Sequence, residues 1–157
     1  MKHTMIWKCC LCGAAALTML LTACGEKKEL PSAGEMLDTL QEQVTFTDEM
    51  IEKDKDETIL FYNIDGALVS DATALVGSGA TAEMLSVWQA PDEQSAQKIT
   101  EFLQDFNANW QEGYSDYKPE EVPKLETAVV RQQGTYVVYA VTAENDGAAD
   151  AVDALLG

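Results

Sequence analysis

The sequence predicts an α+β fold: an antiparallel sheet of about four strands in two hairpins, one long amphipathic helix across a face, and helices at the N- and C-terminal ends. Three observations carry this expectation. Between Asp92 and Gly113, the residues Ala96, Ile99, Phe102, Leu103, Phe106 and Trp110 recur every three or four positions and share one stripe of a helix. Ala67 to Gly77 and Ala80 to Ala90 are β-prone segments meeting at Gly77-Ser78-Gly79. Thr127 to Gln132 and Thr135 to Thr142 repeat that layout around Gln133-Gly134.

The chain opens with Lys2, His3 and Lys8, then an apolar run from Leu11 to Leu21 that ends in small residues before Cys24. The run is about half of the roughly 20 apolar residues that a membrane-spanning helix needs, so residues 1–23 read as a secretory signal. Leu21-Thr22-Ala23-Cys24 resembles the lipobox of bacterial lipoprotein signals at all four positions. The resemblance implies diacylglyceryl attachment to Cys24, cleavage between Ala23 and Cys24, and Cys24 as the mature N-terminus. One acyl chain binds a membrane only marginally, whereas two chains on one thioether anchor stably at about 0.8 kcal/mol per buried methylene. Cys9, Cys10 and Cys12 fall inside the segment to be removed and read as apolar filler.

Residues 24–34 read as the lipidated N-terminus and a short tether, and residues 35–157 as a single domain. Ser32 is placed to cap a helix with Glu35 three residues on, and Met36, Leu37 and Leu40 continue at helical spacing up to Val44. Thr47 to Ile51 suggests a short helical turn, and Glu52-Lys53-Asp54-Lys55-Asp56-Glu57 a solvated turn or helix face. That run lacks the glycine and the bidentate glutamate of a calcium loop. Ile59 to Tyr62 is an apolar cluster, and Asn63-Ile64-Asp65-Gly66 a turn before the first hairpin.

Asp92 is the expected N-cap of the long helix, and Gly113 its expected end. Residues 114–123, with two tyrosines and two prolines, read as an ordered loop. Tyr136 to Val141 has no polar break, which suits a strand covered on both faces. Asn145-Asp146-Gly147 reads as a break, and Ala148 to Leu156 as a short terminal helix.

Composition narrows the chemistry. After Cys24 there are eight basic and 27 acidic residues, a net charge of −19 for the mature chain. Such a domain repels nucleic acid and anionic headgroups, which leaves the acyl chains as the membrane contact. Removal of residues 1–23 takes the single histidine and every cysteine but Cys24. A Ser-His-Asp or Cys-His nucleophile, a zinc site of imidazole or thiolate, and a disulfide are therefore not expected, and no cofactor or metal ligand set is assigned.

Tyr62-Asn63-Ile64-Asp65, Gly79-Ala80-Thr81-Ala82-Glu83-Met84, Tyr114-Ser115-Asp116-Tyr117-Lys118-Pro119 and Gly134-Thr135-Tyr136-Val137, in this order behind a lipobox, resemble the family catalogued as domain of unknown function 4358, lipoproteins of Firmicutes. The resemblance spans about residues 36–145 and implies no activity.

Glu83 stands beside a turn at the start of a strand, and Asp65, Asp71, Asp116 and Glu121 flank other strand ends, so a carboxylate pair is the candidate for acid–base chemistry. No catalytic residue is assigned. Tyr114 and Tyr117 are expected to anchor their loop onto the sheet, with a recognition surface as the alternative. Trp88 and Tyr139 are expected in the core beneath the terminal helices. Asn145, Asp146, Asp150 and Asp153 suggest a cation site by composition but lack calcium-loop geometry. The function expected is a non-enzymatic binding or protein-interaction module of the cell envelope, lipid-anchored on the outer face of a Gram-positive cell membrane, with an envelope protein as partner. A carboxylate-dependent cell-wall hydrolase and a divalent-cation binder are the alternatives.

Overall fold

The computed structural model describes residues 30–157. Leu21, Thr22, Ala23 and Cys24 lie outside the described residues. The described chain is α+β. Its five-stranded antiparallel sheet runs in the order β1 (Met50–Lys53), β2 (Asp71–Gly77), β3 (Met84–Gln89), β5 (Tyr136–Val141), β4 (Val129–Gln133). The two predicted hairpins are β2–β3 and β4–β5, joined edge to edge by β3 and β5. No described helix is long and apolar enough to cross a membrane.

Alternation along each strand builds two cores. Ala72, Ala74, Val76, Met84, Trp88, Val137, Tyr139 and Val141 face one layer. That layer contains α2 (Lys55–Tyr62), α3 (Glu93–Tyr117) and α4 (Val122–Glu126). Leu75, Leu85, Val87, Val138 and Ala140 face the other, made of α1 (Ala33–Gln41) and α5 (Asn145–Leu156). With helices on both faces, β3 and β5 are apolar on both sides, as Tyr136 to Val141 predicts. Trp88 and Tyr139 are core residues with no exposure. They lie beneath α2 and α3 rather than the terminal helices, because their register puts them on that face.

The N-terminal helix forms as its capping box predicts: the Glu35 amide donates to Ser32 Oγ, and the Ser32 amide to Glu35 Oε2. It stops at Gln41 rather than reaching Val44.

Several expected boundaries are corrected. Met50–Lys53 is a fifth strand at the sheet edge, not a helical turn, and it pairs with β2 from Met50–Gly77 to Lys53–Ala74. An edge strand with one solvated side tolerates the charges of Glu52 and Lys53. Ile59 to Tyr62 belongs to α2, which Asp54 and Glu57 open with a second capping box inside the charge run. The long helix passes through Gly113 and ends at Tyr117. The expected loop after it is the last helical turn, a 3₁₀ turn (Pro119–Glu121) and α4. Asn145 opens α5 instead of breaking the chain, with its side chain turned inward.

Candidate functional site

The sheet end that carries the β2–β3 connection holds a dense polar cluster. β2 ends at Gly77 and β3 begins at Met84, so residues 78–83 cross the end of the sheet. Two carboxylates organise the crossing. Asp48 accepts from the Ser78 amide and hydroxyl at 3.0 and 2.7 Å and from the Thr81 amide and hydroxyl at 3.2 and 3.1 Å. Glu83, whose side chain is wholly buried, accepts from the Thr47 amide and hydroxyl, both at 2.7 Å, from the Asp48 amide at 3.1 Å, and from Lys124 Nζ at 2.9 Å.

Lys124 lies one helical turn after Glu121 and bonds both acids. Its Nζ is 3.0 Å from Glu121 Oε2, which also accepts from the Ala82 amide at 2.9 Å. Tyr114 donates to the Thr81 carbonyl at 2.6 Å, and Lys118 to that of Ala80. Asn145 donates to the Lys124 carbonyl at 2.6 Å and accepts from the Thr142 amide at 2.7 Å, bringing the start of α5 into the same cluster.

The electrostatics follow from this geometry. Burial acts to raise the Glu83 carboxyl, but the Thr47 hydroxyl, the Lys124 ammonium and the backbone amides of Thr47 and Asp48 together hold it below the usual carboxylate range. Burial likewise acts against the charge on Lys124, and its bonds to Glu83 and Glu121 outweigh burial and raise it. The Ser78 hydroxyl leads the contacts that lower Asp48.

Of the sequence candidates, the fold brings Glu83 and Glu121 together around Lys124. Four donors meet the two oxygens of Glu83, so its acceptor capacity is committed to the protein. A general base needs a free lone pair within reach of substrate; this pair instead fastens residues 47 and 48 to the β2–β3 crossing and to α4. Asp65 caps a 3₁₀ turn through the Ala67 amide, Asp71 starts β2, and Asp116 is exposed on α3. Asp146 and Asp150 point to solvent, and Asp153 pairs with Arg131 at 2.9 Å. Among the described residues no group of three or more His, Cys, Asp or Glu side chains is placed to hold a metal.

A second feature lies on the C-terminal half of α3. Phe102, Phe106, Trp110 and Tyr114 step by four residues, and Trp110 sits between Phe106 and Tyr114, with ring centroids 5.3 and 5.6 Å away. Phe61 of α2 closes on Trp110 at 6.1 Å. Past the sheet end the ladder continues to Tyr117, 75% exposed and standing at 70° to Tyr114. Asn109, Trp110, Gly113, Tyr114 and Tyr117 line a shallow, open concavity of about 300 Å³. Tyr114 anchors its segment as expected, through the Thr81 carbonyl, whereas Tyr117 projects into solvent. Asn109 and Gly113 were missed as lining residues, because Gly113 reads from sequence as a helix stop. An alanine Cβ there would meet nothing within 4 Å. A glycine in a helix interior is less stable than alanine by about 0.5–1 kcal/mol, and packing does not require this one.

The model of a family described as Domain of unknown function (DUF4358) matches residues 42–142, a span that contains β1 to β5, the carboxylate cluster and the concavity. No curated protein and no solved structure matches the chain. The chain belongs to that family.

Proposed function

Starting from that membership, we propose that the chain is a lipid-anchored, extracytoplasmic binding module of the Gram-positive cell envelope, held by a diacylglyceryl group on Cys24. The observation that carries the binding reading over a hydrolase is the state of Glu83 and Glu121. This converging acid pair shares Lys124 as its cation and is occupied by backbone and hydroxyl donors. Among the described residues, one surface open to a partner is the aromatic concavity on α3.

The tether supports an orientation. Residues 24–29 reach at most about 20 Å, and Leu30 already packs against the α1–α5 core. A body held that closely turns its α1–α5 layer toward the bilayer and its α3 layer outward, toward the wall.

Metabolic labelling with radioactive palmitate tests the anchor. The wild-type chain should carry label and sediment with membranes, and Cys24→Ala should lose the label. An unlabelled wild-type chain refutes the anchor. Wall-degrading activity that disappears in Glu83→Gln, in a variant shown to be folded, refutes the binding reading.

A further inference from the structure

The β1 edge of the sheet carries a self-complementary strand, and we propose that β1 pairs with β1 of a second copy of this chain, antiparallel and centred on Ile51, joining the two sheets into one. The inference goes beyond the binding-module reading and stands without it.

The register shows which way the edge points. The Gly77 amide donates to the Glu83 carbonyl, so Gly77 turns its backbone groups toward β3 and, by alternation, Val76 and Ala74 turn theirs toward β1. Val76 and Ala74 pair with Ile51 and Lys53, and the Thr73 hydroxyl on the Lys53 carbonyl agrees with that phase. The N–H and C=O groups of Met50 and Glu52 therefore point off the sheet, and none of them has a hydrogen bond to any described residue. The opposite edge differs. By the same alternation the Val130 carbonyl of β4 faces off the sheet, and it already accepts from Arg131 Nη1 at 3.2 Å. At the β1 edge, α2 packs over β2 more than over β1, and Ile51 is 53% exposed.

Charged side chains on an edge strand ordinarily deter pairing. Here one register makes them match. Centred on Ile51, Met50 meets Glu52 of the second copy, and each such pair exchanges both of its N–H···O bonds because the groups concerned already point outward. Ile51 meets Ile51 in the close, non-hydrogen-bonded position, and Glu49 meets Lys53. The pairing covers the exposed Ile51 side chain, and neither Glu49 nor Lys53 is in an ion pair with a described residue. Of the neighbouring registers that also oppose the outward groups, one sets Glu52 against its own copy and the other sets it against Asp48. A foreign strand would meet the same backbone groups without this match of side chains. The two-fold axis of the pairing stands perpendicular to the sheet, so both α1–α5 layers, and the Leu30 packed into each, lie on one side. Both chains can then be held by one bilayer.

The test uses the full-length chain in detergent, with serine in place of Cys9, Cys10, Cys12 and Cys24, so neither lipidation nor native thiols enter the readout. An interface of one short strand pair is a transient one, with an expected dissociation constant on the order of 0.1 mM. Salt at about 0.15 M shortens the Debye length to about 8 Å and screens the repulsion between two acidic bodies. Under those conditions sedimentation equilibrium should show the mass rising from one chain toward two by about 0.5 mM. Glu52→Pro should stay a monomer while melting like the wild type, because it removes only an N–H that faces solvent. Ile51→Lys, which sets like charges at the centre of the pairing, should do the same. Under oxidation, Ile51→Cys chains should crosslink at least about tenfold faster than chains with Leu60→Cys, an exposed position on α2. A mixture of Glu49→Cys and Lys53→Cys chains should crosslink where neither does alone. A monomer throughout the concentration range overturns the proposal and leaves the edge to a strand of another protein. A dimer that persists in both Glu52→Pro and Ile51→Lys also overturns it, as do Glu49→Cys chains that crosslink with themselves as fast as with Lys53→Cys chains. None of these results bears on the palmitate test of the anchor, since Cys24 is absent from the chains used.

Discussion

Replacing Lys124 with methionine should both destabilise the protein and introduce a pH dependence between about pH 5 and 7 that the wild type lacks. The ammonium is 2.9 Å from Glu83 and 3.0 Å from Glu121, and methionine keeps most of the stem while removing the charge. Breaking a buried pair by deleting one partner costs about 3–5 kcal/mol. Here the lysine side chain is 20% exposed, and Glu83 keeps the Thr47 amide and hydroxyl and the Asp48 amide, so about 2–3 kcal/mol is the better figure. For a domain of this size that corresponds to a fall in Tm of about 6–15 °C.

The pH profile gives the sharper test. In the wild type, Glu83 is held below its reference value of 4.5, so its contribution is fully present above that pH and is lost as pH falls through the folded value. Lys124 is raised above 10.5, so its contribution is present below that pH and is lost as pH rises past the folded value. Between these limits the cluster's contribution is flat. In Lys124→Met, two buried carboxyl groups share a site with no cation, and one of them retains a proton well above 4.5. A raised carboxyl contributes stability at low pH and loses it as pH rises, so the variant's Tm should climb as pH falls from about 7 to 5 while the wild type's holds level. Thermal unfolding followed by circular dichroism across that range measures both effects. A Tm within about 2 °C of wild type, or a wild-type pH profile, refutes the account of the cluster. Glu83→Gln combined with Lys124→Met should recover at least about 1 kcal/mol of the loss, because no unpaired charge remains on Glu83.

Three further substitutions probe the same end of the molecule and the core. Gly77→Ala places a methyl 2.8 Å from Asp48 Oδ2 and 3.1 Å from the Glu83 carbonyl, and should cost about 1–3 kcal/mol in urea unfolding by displacing the Asp48 contacts. Asn145→Ala removes the acceptor of the buried Thr142 amide and the donor to the part-buried Lys124 carbonyl, and should cost about 2–3 kcal/mol by the same assay. Tyr62→Phe should be neutral or stabilising by up to about 1 kcal/mol, because the buried hydroxyl has no hydrogen-bond partner among the described residues; a loss above 1 kcal/mol would show that the hydroxyl is paired, with the neighbouring Ser86 as the partner within reach.

The parts of the fold legible in the sequence were those that local periodicity determines. The α3 stripe, the capping box at Ser32 and the two hairpins each follow from spacing within a dozen residues or so. What was misread depends on partners elsewhere. Met50–Lys53 is a strand because β2 lies beside it, and the charges that hide this from the sequence are tolerated at an edge. Gly113 has the composition of a stop signal, but the helix continues because Tyr114 and Tyr117 find Thr81 and each other beyond it.

The carboxylate cluster divides in the same way. Glu83 and Glu121 stand out in the sequence as acids at strand ends, but Lys124, which decides what they are for, does not. Its i,i+3 spacing from Glu121 was the available signal, and its contact with Glu83 spans 41 residues. That contact sets the division of labour in the molecule. An acidic chain that buries two carboxylates must compensate their lost hydration internally, and it uses one lysine and the backbone amides of a sheet-end crossing to do so. No other acid among the described residues is buried, and their charge disfavours anions, while the lining on α3 carries none. Removing an exposed acid, as in Glu112→Gln, should therefore leave stability in urea unfolding within about 0.5 kcal/mol, whereas Glu121→Gln should cost at least about 1 kcal/mol. A fold held together by its surface charge would show the opposite order, and comparing the two unfolding curves decides between them.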